Sequence, residues 1–289
     1  MNSTKKYTQQ RIIKNYIFFL SLFLGTSFKL DAQSAISGKI ILAGDNKPAA
    51  FASVKLMNHD NGVVSDSSGN FYVSVHNVTA ADSVLISLVG YEPLKMPARK
   101  ALTQHAFTLE RSQKTMESVV VRSFKNEEVA GAKSELVGYY RSWNTNNTGG
   151  EIGRTFINEH KEYQVAKVRF KVFNTYDTCV IRLHIREVTN GQPGREILTD
   201  SVAQIIKKSP LGDKPYEFDL NKYNVILSQK NIFVSFEVLE GTRSDNTNRS
   251  LSFVGTEEGK YFYKSEGYDS WHAAEDYTIY MKLLLRYDD

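Results

Sequence analysis

The sequence has a single cysteine, Cys179, so no disulfide can form within the chain. The lipid-modified cysteine that follows a lipoprotein signal is missing too. There is also no Gly-x-Ser-x-Gly elbow, glycine-rich phosphate loop or Cys-x-x-Cys pair, so the common motifs for a serine nucleophile, phosphate binding and dithiol chemistry are absent. Cys179 lies on the apolar face of a predicted strand, and we expect a small buried side chain rather than a nucleophile.

An excess of positive charge is also lacking once residues 1–32 are set aside. The whole chain has a formal net charge of +4, but residues 1–32 carry five basic residues and one acidic residue, which leaves 31 of each in the remainder. The remainder is therefore neutral. Its composition gives no reason to expect nucleic acid as a partner.

Residues 1–32 predict a cleavable secretory signal. Four basic residues are followed by an apolar run of about 13 residues at positions 16–28, whereas a membrane-spanning helix needs roughly 20. We expect cleavage after Ala32 and export to the periplasm or the outer cell surface. The mature chain is expected to contain no integral membrane segment.

Short runs of alternating apolar residues fill positions 36–122, and Gly, Asp, Asn and Pro separate them. Ile36 and Ile40 begin this pattern with the period of a half-buried strand. Asp60-Asn61-Gly62 predicts a tight hairpin turn with a positive φ at Gly62. Closing strands are predicted at 107–109 and 119–121. The order of these runs predicts a small β-sandwich.

This region also resembles the carboxypeptidase-like regulatory domain family. The residues that carry the resemblance are Gly38, Pro48 with Ala52-Ser53-Val54, Gly62 to Asp66, Gly69-Asn70-Phe71 and Val89-Gly90-Tyr91-Glu92. Members of that family are transthyretin-like sandwiches, found as an appendage of metallocarboxypeptidases and at the N-terminus of many TonB-dependent outer-membrane receptors. The resemblance implies a structural module at residues 33–122 and no activity. The roughly 155 residues after the linker are too few for a receptor barrel, so we expect no transporter.

Residues 123–135 are polar, show no strand alternation and predict a linker between two domains. In residues 136–289 two long alternating runs, 165–173 and 178–188, are predicted to pair as a hairpin through a turn at 174–177. Residues 201–206 fit a helix or a strand. The second domain is thus predicted to be a jelly-roll-like sandwich of eight to ten strands. The fold class is all-β with two β-sandwich domains.

The second domain resembles, more loosely, jelly-roll modules attached to exported bacterial proteins. Residues 191–194, Phe218-Asp219-Leu220 and Ser270-Trp271 carry that resemblance, which implies a carbohydrate-binding-like architecture without showing binding.

Aromatic and acidic residues alternate after Gly255 and predict a ligand site. The candidates are Tyr263, Glu266, Tyr268, Asp269 and Trp271. Flat rings stack on the C–H faces of sugars, and carboxylates accept hydrogen bonds from sugar hydroxyls. The alternative is that half of these rings are core residues of edge strands.

Basic residues alternate with the apolar ones on both runs of the predicted hairpin. They are Lys167, Arg169 and Lys171 on the first run and Arg182, His184 and Arg186 on the second. Like charges opposite each other destabilise a sheet, so acidic groups are expected to meet them, with Glu237 as one candidate. The row is either a solvated outer face or a docking face for an anionic partner, such as an acidic glycan or an envelope protein.

Two patterns suggest metal binding, and we interpret neither as a metal site. His184 and Glu187 fit the H-x-x-E spacing of metallocarboxypeptidases, but residues three apart on a strand point to opposite faces. Asp60, Asp66 and Asn70 lack the regular spacing of an EF-hand loop, and turn chemistry accounts for them. We expect no metal and no cofactor.

The leading hypothesis is an exported, non-catalytic binding protein of the bacterial cell envelope, with a glycan or an envelope protein as partner. One alternative is a glycan-active enzyme on the jelly-roll scaffold, with Glu266 and Asp269 as acid and base. Another is a purely structural component of an envelope or adhesion assembly.

Overall fold

The computed structural model describes residues 34–59, 61–112, 123–134, 139–144, 149–210, 214–242, 244, 247, 249–257, 259–266 and 269–288. The predicted signal at 1–32 and the predicted strand at 119–121 lie outside these residues. The chain divides into Met1–Ser34 and a compact unit, Ala35–Asp289, which contains all the sheets described below. Among the described residues, no helix has the length and apolar character needed to cross a membrane.

Seven strands and one short helix follow one another in the first part of the chain. They are β1 (Ser34–Leu42), β2 (Ser53–Met57), β3 (Asn61–Val64), β4 (Asn70–Val75), β5 (Ser83–Ser87), β6 (Leu94–Pro97), α1 (Ala98–Ala101) and β7 (Ala106–Leu109). Within the described residues they form a three-stranded sheet in the order β4-β1-β7 and a four-stranded sheet in the order β3-β2-β5-β6. These two sheets are the N-terminal sandwich.

The N-terminal sandwich has its own apolar core. Ile40 of β1 and Phe107 of β7 face Val54 of β2 and Ile86 of β5, and all four are buried. Alternation along each strand produces this core, because side chains on a strand point to opposite faces in turn.

One predicted turn of this sandwich is wrong in detail. β2 pairs with β3 so that Leu56 faces Asn61, and Gly62 lies inside β3 opposite Lys55. Among the described residues of this connection, Asn58 is left-handed, with φ of 69°. Asn tolerates that conformation almost as well as Gly, so the chain reverses a few residues before Gly62.

Fifteen strands follow in the second part of the chain. They are β8 (Asn126–Gly131), β9 (Tyr140–Asn144), β10 (Gly150–Ile157), β11 (Tyr163–Phe170), β12 (Val172–Thr189), β13 (Gln192–Glu196), β14 (Val202–Ser209), β15 (Tyr216–Asp219), β16 (Ile226–Leu227), β17 (Asn231–Thr242), β18 (Ser250–Thr256), β19 (Tyr261–Lys264), β20 (His272–Ala274), β21 (Thr278–Ile279) and β22 (Met281–Tyr287). A single 3-10 turn, Asn221–Tyr223, lies between β15 and β16 in this described part.

These strands form the C-terminal sandwich. In the described residues its ten-stranded sheet has the order β20-β19-β10-β17-β12-β18-β21, with β13 and β14 also paired to β12 and β9 paired to β18. The five-stranded sheet has the order β15-β11-β22-β8, with β16 also paired to β11. The all-β class and the two sandwiches predicted from the sequence are confirmed, although the second sandwich has more than the eight to ten strands expected.

Stacked phenylalanines join the two sheets of the C-terminal sandwich. The ring of Phe170 on β11 lies 4.3 Å from that of Phe236 on β17, between centroids, and Phe236 lies 5.7 Å from Phe253 on β18. Aromatic pairs at such distances add to the free energy gained by burying their area.

The predicted hairpin at 165–188 is wrong. β11 pairs with β15, β16 and β22 in the five-stranded sheet, whereas β12 pairs with β17, β14, β13 and β18 in the ten-stranded sheet. The chain changes sheet at Lys171, and the predicted turn at 174–177 lies inside β12. Asn174 fits there because its side-chain amide donates to the carbonyls of Ile206 and Lys207.

The prediction that residues 123–135 contain no strand is also wrong, because β8 lies in this segment and pairs along its length with β22. β8 is an edge strand, and five of its six residues are exposed. A strand without a buried face needs no alternation of apolar and polar residues, so the polar sequence of β8 gave no sign of a strand. The domain boundaries themselves stay a prediction.

Candidate functional site

Three basic side chains of β12 project from the ten-stranded sheet on the side away from its core. Ile181, Leu183 and Ile185 of the same strand are core residues. Arg182, His184 and Arg186 occupy the alternate positions and therefore lie on the opposite face. The partner strands bring acidic residues to this face, since β12 pairs Arg182 with Glu237 of β17, which in turn pairs with Glu151 of β10.

Arg182 connects the two sandwiches. Its Nε and Nη2 donate to Glu237 Oε2 at 2.9 and 2.6 Å, and its Nη1 donates to the backbone carbonyl of Phe51 at 2.9 Å. Both charged side chains are buried, at 5% and 7% exposure. Phe51 belongs to the N-terminal sandwich and has φ of 59°, a left-handed conformation that a bulky residue rarely adopts. A buried ion pair thus depends on the backbone of the other sandwich.

His184 lies between two carboxylates. Its Nδ1 lies 2.6 Å from Glu196 Oε2 and its Nε2 lies 2.9 Å from Glu237 Oε2. An ionised carboxylate only accepts hydrogen bonds, so this geometry favours the imidazolium form of the ring, in which both nitrogens carry a proton. Burial and Arg186 lower the pKa of His184, but Glu151 and Glu196 raise it by more, so the pKa is raised overall.

Arg186 completes the cluster. Its Nη2 donates to Glu151 Oε1 at 3.0 Å, and its Nη1 lies 3.0 Å from Glu196 Oε2. Burial raises the pKa of Glu151, but Arg186, His184 and Lys264 lower it by more, so this carboxylate is held ionised. In the same way the pKa of Glu237 is lowered, because Arg182 and His184 outweigh the effect of burial.

A cleft with a volume of about 960 Å³ lies over these residues. Its floor, called the charged floor below, consists of Glu151, Arg182, His184, Arg186, Glu196, Glu237 and Lys264. The N-terminal sandwich contributes Leu42, Pro48, Ser53 and residues 87–93 to the walls, and the C-terminal sandwich contributes residues 195–201 and Tyr223. The cleft therefore exists only where the two sandwiches meet.

Gly90 and Thr199 form a second contact between the sandwiches. A Cβ at Gly90 would lie 2.7 Å from the Thr199 carbonyl oxygen, closer than real Cβ atoms come to other atoms. Gly90 also has φ of 86°, which L side chains rarely adopt. Glycine at this corner lets the walls of the cleft approach each other.

The predicted aromatic ligand site is only partly assembled. Tyr263 packs against the core of the C-terminal sandwich. The Arg141 guanidinium carbon lies over its ring, 3.8 Å from the ring centroid. Trp271 packs edge-on against Phe233, with centroids 5.1 Å apart, and Lys264 Nζ lies 4.5 Å from the indole centroid. Because Lys264 and Tyr263 are neighbours on β19, their side chains take opposite faces. Trp271 therefore adjoins the charged floor and Tyr263 does not.

The acidic residues of that predicted site, Glu266 and Asp269, take part in the hydrogen bonds of a turn. Asp269 accepts hydrogen bonds from the backbone N–H groups of Ser265 and Ser270 and from His272, and its own N–H donates to the Glu266 carbonyl. Burial raises the pKa of Asp269, but these hydrogen bonds lower it by more. Tyr268 lies outside the described residues.

The six predicted basic residues do not form one face. Lys167 and Arg169 lie on the five-stranded sheet, where both bind Glu217 at 2.7 and 2.6 Å. Lys171 lies at the change of sheet, with its ammonium 5.9 Å from the centroid of Tyr280. The other three residues belong to the charged floor. Glu237, the counter-charge suggested by the sequence, does meet Arg182.

The metal patterns read from the sequence have other partners in the structure. Glu187 binds Arg195 at 2.6 Å and is not a partner of His184. Asp66 Oδ1 accepts the N–H groups of Ser68 and Asn70, as in a turn, while Asp60 lies outside the described residues. Among the described residues, no group of three or more His, Cys, Asp or Glu side chains is arranged so that it could hold a metal ion.

Sequence reasoning missed Glu151, Glu196, Lys264 and the Phe51 carbonyl. Glu196 follows Asn190-Gly191, a dipeptide typical of tight hairpin turns, so the hairpin of β12 and β13 offered a signal for its approach to His184. No local pattern points to Phe51, which lies more than a hundred residues from Arg182. Cys179 is buried as expected, and burial, with a smaller effect of Glu240, raises the pKa of its thiol to about 12.

Comparison with known proteins identifies the N-terminal sandwich. Residues 36–121 match the model of the family described as CarboxypepD_reg-like domain, which confirms the resemblance drawn from the sequence. This is a non-catalytic β-sandwich domain, typical of exported envelope proteins. The match ends at residue 121, before β8, the first strand of the C-terminal sandwich.

The C-terminal sandwich is not identified by the same means. No curated protein matches the sequence. Structures of infectious bursal disease virus are similar at low level: the Gt strain is 9% identical with a TM-score of 0.30, and the VP2 subviral particle is 12% identical with a TM-score of 0.28. The matches cover 89% and 81% of this chain but only 65% and 63% of the viral chains. TM-scores this low support no argument about fold or function.

Proposed function

We propose that the chain is an exported, non-catalytic binding protein of the bacterial cell envelope, and that it binds carbohydrate in the cleft between the two sandwiches. The observation that carries the proposal is the cleft itself. Its volume of about 960 Å³ is that of a small-molecule site, and its floor consists of buried or partly buried charges that pair with one another. A floor fixed in this way holds its shape when a ligand arrives.

Export is the second element of the proposal. The CarboxypepD_reg-like domain supports an envelope location, and residues 1–32 have the composition of a signal cleaved after Ala32. The mature protein then comprises a domain at 33–122, a connection at 123–135 and a domain at 136–289. Fractionation of cells that express the full chain, with N-terminal sequencing of the product, tests this element. A product that starts at Met1 in the cytoplasm would contradict it.

The acid and base chemistry of a glycosidase does not suit this site. Such an enzyme needs one carboxyl group with a raised pKa that acts as general acid. The pKa values of Glu151, Glu237 and Asp269 are all lowered, so none of the three holds a proton at neutral pH. These lowered pKa values support the proposal that a ligand in the cleft is bound and released unchanged.

A glycan-array screen of residues 33–289, with hydrolysis assays on the same glycans, tests the proposed function. We expect retained glycans and no products. Ser53→Trp, which fills the cleft from β2, should abolish retention, while Lys55→Trp on the same face of β2 but outside the cleft should not. Hydrolysis products would favour the enzyme, and a folded protein that retains no glycan would favour a purely structural role.

A further inference from the structure

Lys264 differs from the other basic residues of the charged floor because its hydrogen bonds are unused. Its ammonium lies 3.9 Å from Glu151 Oε2, a distance that allows an ion pair but no hydrogen bond. Among the residues that the structure describes, no acceptor lies within hydrogen-bonding distance of this Nζ. An ammonium has three donors, so Lys264 can bind an acceptor that enters the cleft.

The backbone of Lys264 is held firmly. β19 pairs with β10 so that Lys264 faces Glu151, and the indole N–H of Trp143 donates to the Lys264 carbonyl at 3.2 Å. The side chain is 19% exposed and lines the cleft. A cation on a fixed strand at the edge of a cleft is preorganised for binding.

The charge of the floor favours an anion. It contains four cationic groups, Arg182, Arg186, Lys264 and the His184 imidazolium, against the carboxylates of Glu151, Glu196 and Glu237. Each carboxylate is already bonded to an arginine or to His184. One positive charge therefore remains uncompensated within the floor, and Lys264 is the cation with the longest ion-pair distance.

Trp271 adds a flat apolar surface beside this charge. The Lys264 ammonium lies over the indole, and Phe233 fixes the ring from its edge. A carboxylate that hydrogen-bonds to Lys264 thus brings the group that carries it next to the indole. Sugar rings have C–H faces that pack on such a surface.

We infer that the cleft takes an acidic saccharide, whose uronate carboxylate binds Lys264 and whose ring packs against Trp271. This inference rests on the proposed function, which it narrows from carbohydrate to uronate-bearing carbohydrate. The interaction is charge-assisted, so its strength is expected to fall with added salt.

Titration calorimetry with residues 33–289 tests the inference. The probes are trimers of galacturonate, glucuronate and mannuronate, each as the free acid and as the methyl ester, in which the charged carboxylate is replaced by a neutral ester group. At least one acid should bind at least tenfold more tightly than its ester at low salt. Lys264→Gln should weaken the binding of that acid at least tenfold and leave the binding of the ester unchanged. Lys264→Arg should restore the binding of the acid. Trp271→Leu should weaken acid and ester alike.

Lys260→Gln is the matched control, because Lys260 also lies over an aromatic ring, that of Phe262, but pairs with Glu275 away from the cleft. It should leave binding unchanged. An ester bound as tightly as its acid, with no effect of Lys264→Gln, would overturn the inference and leave the proposed function standing. If no trimer of either form bound, the inference would fall, and the glycan-array screen would decide the proposed function. Binding of triglycine by its carboxylate in place of the uronates would overturn the choice of a saccharide.

Discussion

The two sheets of the C-terminal sandwich carry the same pattern of basic residues on their outer faces but place them in different surroundings. On the five-stranded sheet Lys167 and Arg169 share Glu217, and the three side chains are 26%, 45% and 29% exposed. On the ten-stranded sheet Arg182 and Glu237 are almost completely buried. The difference arises because the N-terminal sandwich meets the outer face of the ten-stranded sheet, where the Phe51 carbonyl accepts from Arg182.

This comparison teaches that alternation identifies the outer face of a strand but not what lies over that face. An exposed ion pair contributes little to stability. Removing one partner of a buried ion pair is strongly destabilising, because the other charge then stays buried without a partner and without water. The same residue types therefore contribute little to stability on the five-stranded sheet and much on the ten-stranded sheet.

The largest expected effect comes from removing one charge from each face. Arg182→Ala should lower the free energy of unfolding by about 3–5 kcal/mol, because Glu237 stays buried without its main partner. Arg169→Ala should lower it by about 0–1 kcal/mol. Urea unfolding of residues 33–289 at neutral pH measures both. Equal losses for the two variants would show that burial does not separate the two faces.

A second test loosens the junction without touching a charge. Gly90→Ala and Gly44→Ala both force a side chain into a left-handed conformation, at a cost of about 1–2 kcal/mol each. Only Gly90 also meets a neighbour, the Thr199 carbonyl, while nothing lies within 4 Å of a Cβ at Gly44. Gly90→Ala should therefore cost about 1–3 kcal/mol more, as for an overpacked site. Thermal unfolding of the two variants decides whether the contact matters.

The pH dependence of stability tests the charged floor in a milder way. The folded-state pKa of His184 is raised above its usual 6.5, so the stabilisation is complete below that value and is lost as pH rises through the folded-state pKa. The groups that face the ring are Glu196, Glu237, Glu151 and Arg186.

The free energy of unfolding should fall by about 1.4 kcal/mol for each pH unit between the two pKa values. Urea unfolding from pH 6 upward measures the slope, and His184→Gln should flatten it. A parent protein whose stability is constant across this range would show that the ring is not held as an imidazolium.

The smallest effect is expected when the N-terminal sandwich is taken away from its partner. Its core residues, from Ile36 to Leu109, all lie within the sandwich itself. Residues 33–122 alone should therefore unfold cooperatively, with little loss of stability relative to the same sandwich in the longer chain. Calorimetry provides the measurement. An aggregated or non-cooperative product would mean that the junction, rather than its own core, maintains this sandwich.

Most strands of the N-terminal sandwich could be predicted because their signals are local. Turn residues mark the ends of its strands, and Gly69 and Gly90 do adopt the positive φ that such turns require. The Asn190-Gly191 turn of the C-terminal sandwich was visible for the same reason, since both of its residues are left-handed.

The sheet assignment of β11 and β12 could not be predicted from the pattern. Phe170 and Val172 face the same core from two sheets, so the apolar alternation continues without a break where the chain changes sheet. A hairpin and a crossover therefore produce the same sequence period. The cleft was hidden for another reason: folding alone brings Arg182 to the Phe51 carbonyl and into the same cleft as Lys264, and these three residues are far apart in the sequence.

The position of the two tryptophans makes the protein its own spectroscopic reporter. Trp143 is enclosed in the core of the C-terminal sandwich, edge-on to Phe253, whereas Trp271 is partly exposed and lies under the ammonium of Lys264. An event confined to the cleft changes the surroundings of the second indole only, while unfolding transfers both indoles to water. Intrinsic fluorescence of the native chain, or of a Trp143→Phe variant in which Trp271 emits alone, can therefore distinguish occupancy of the cleft from loss of the fold.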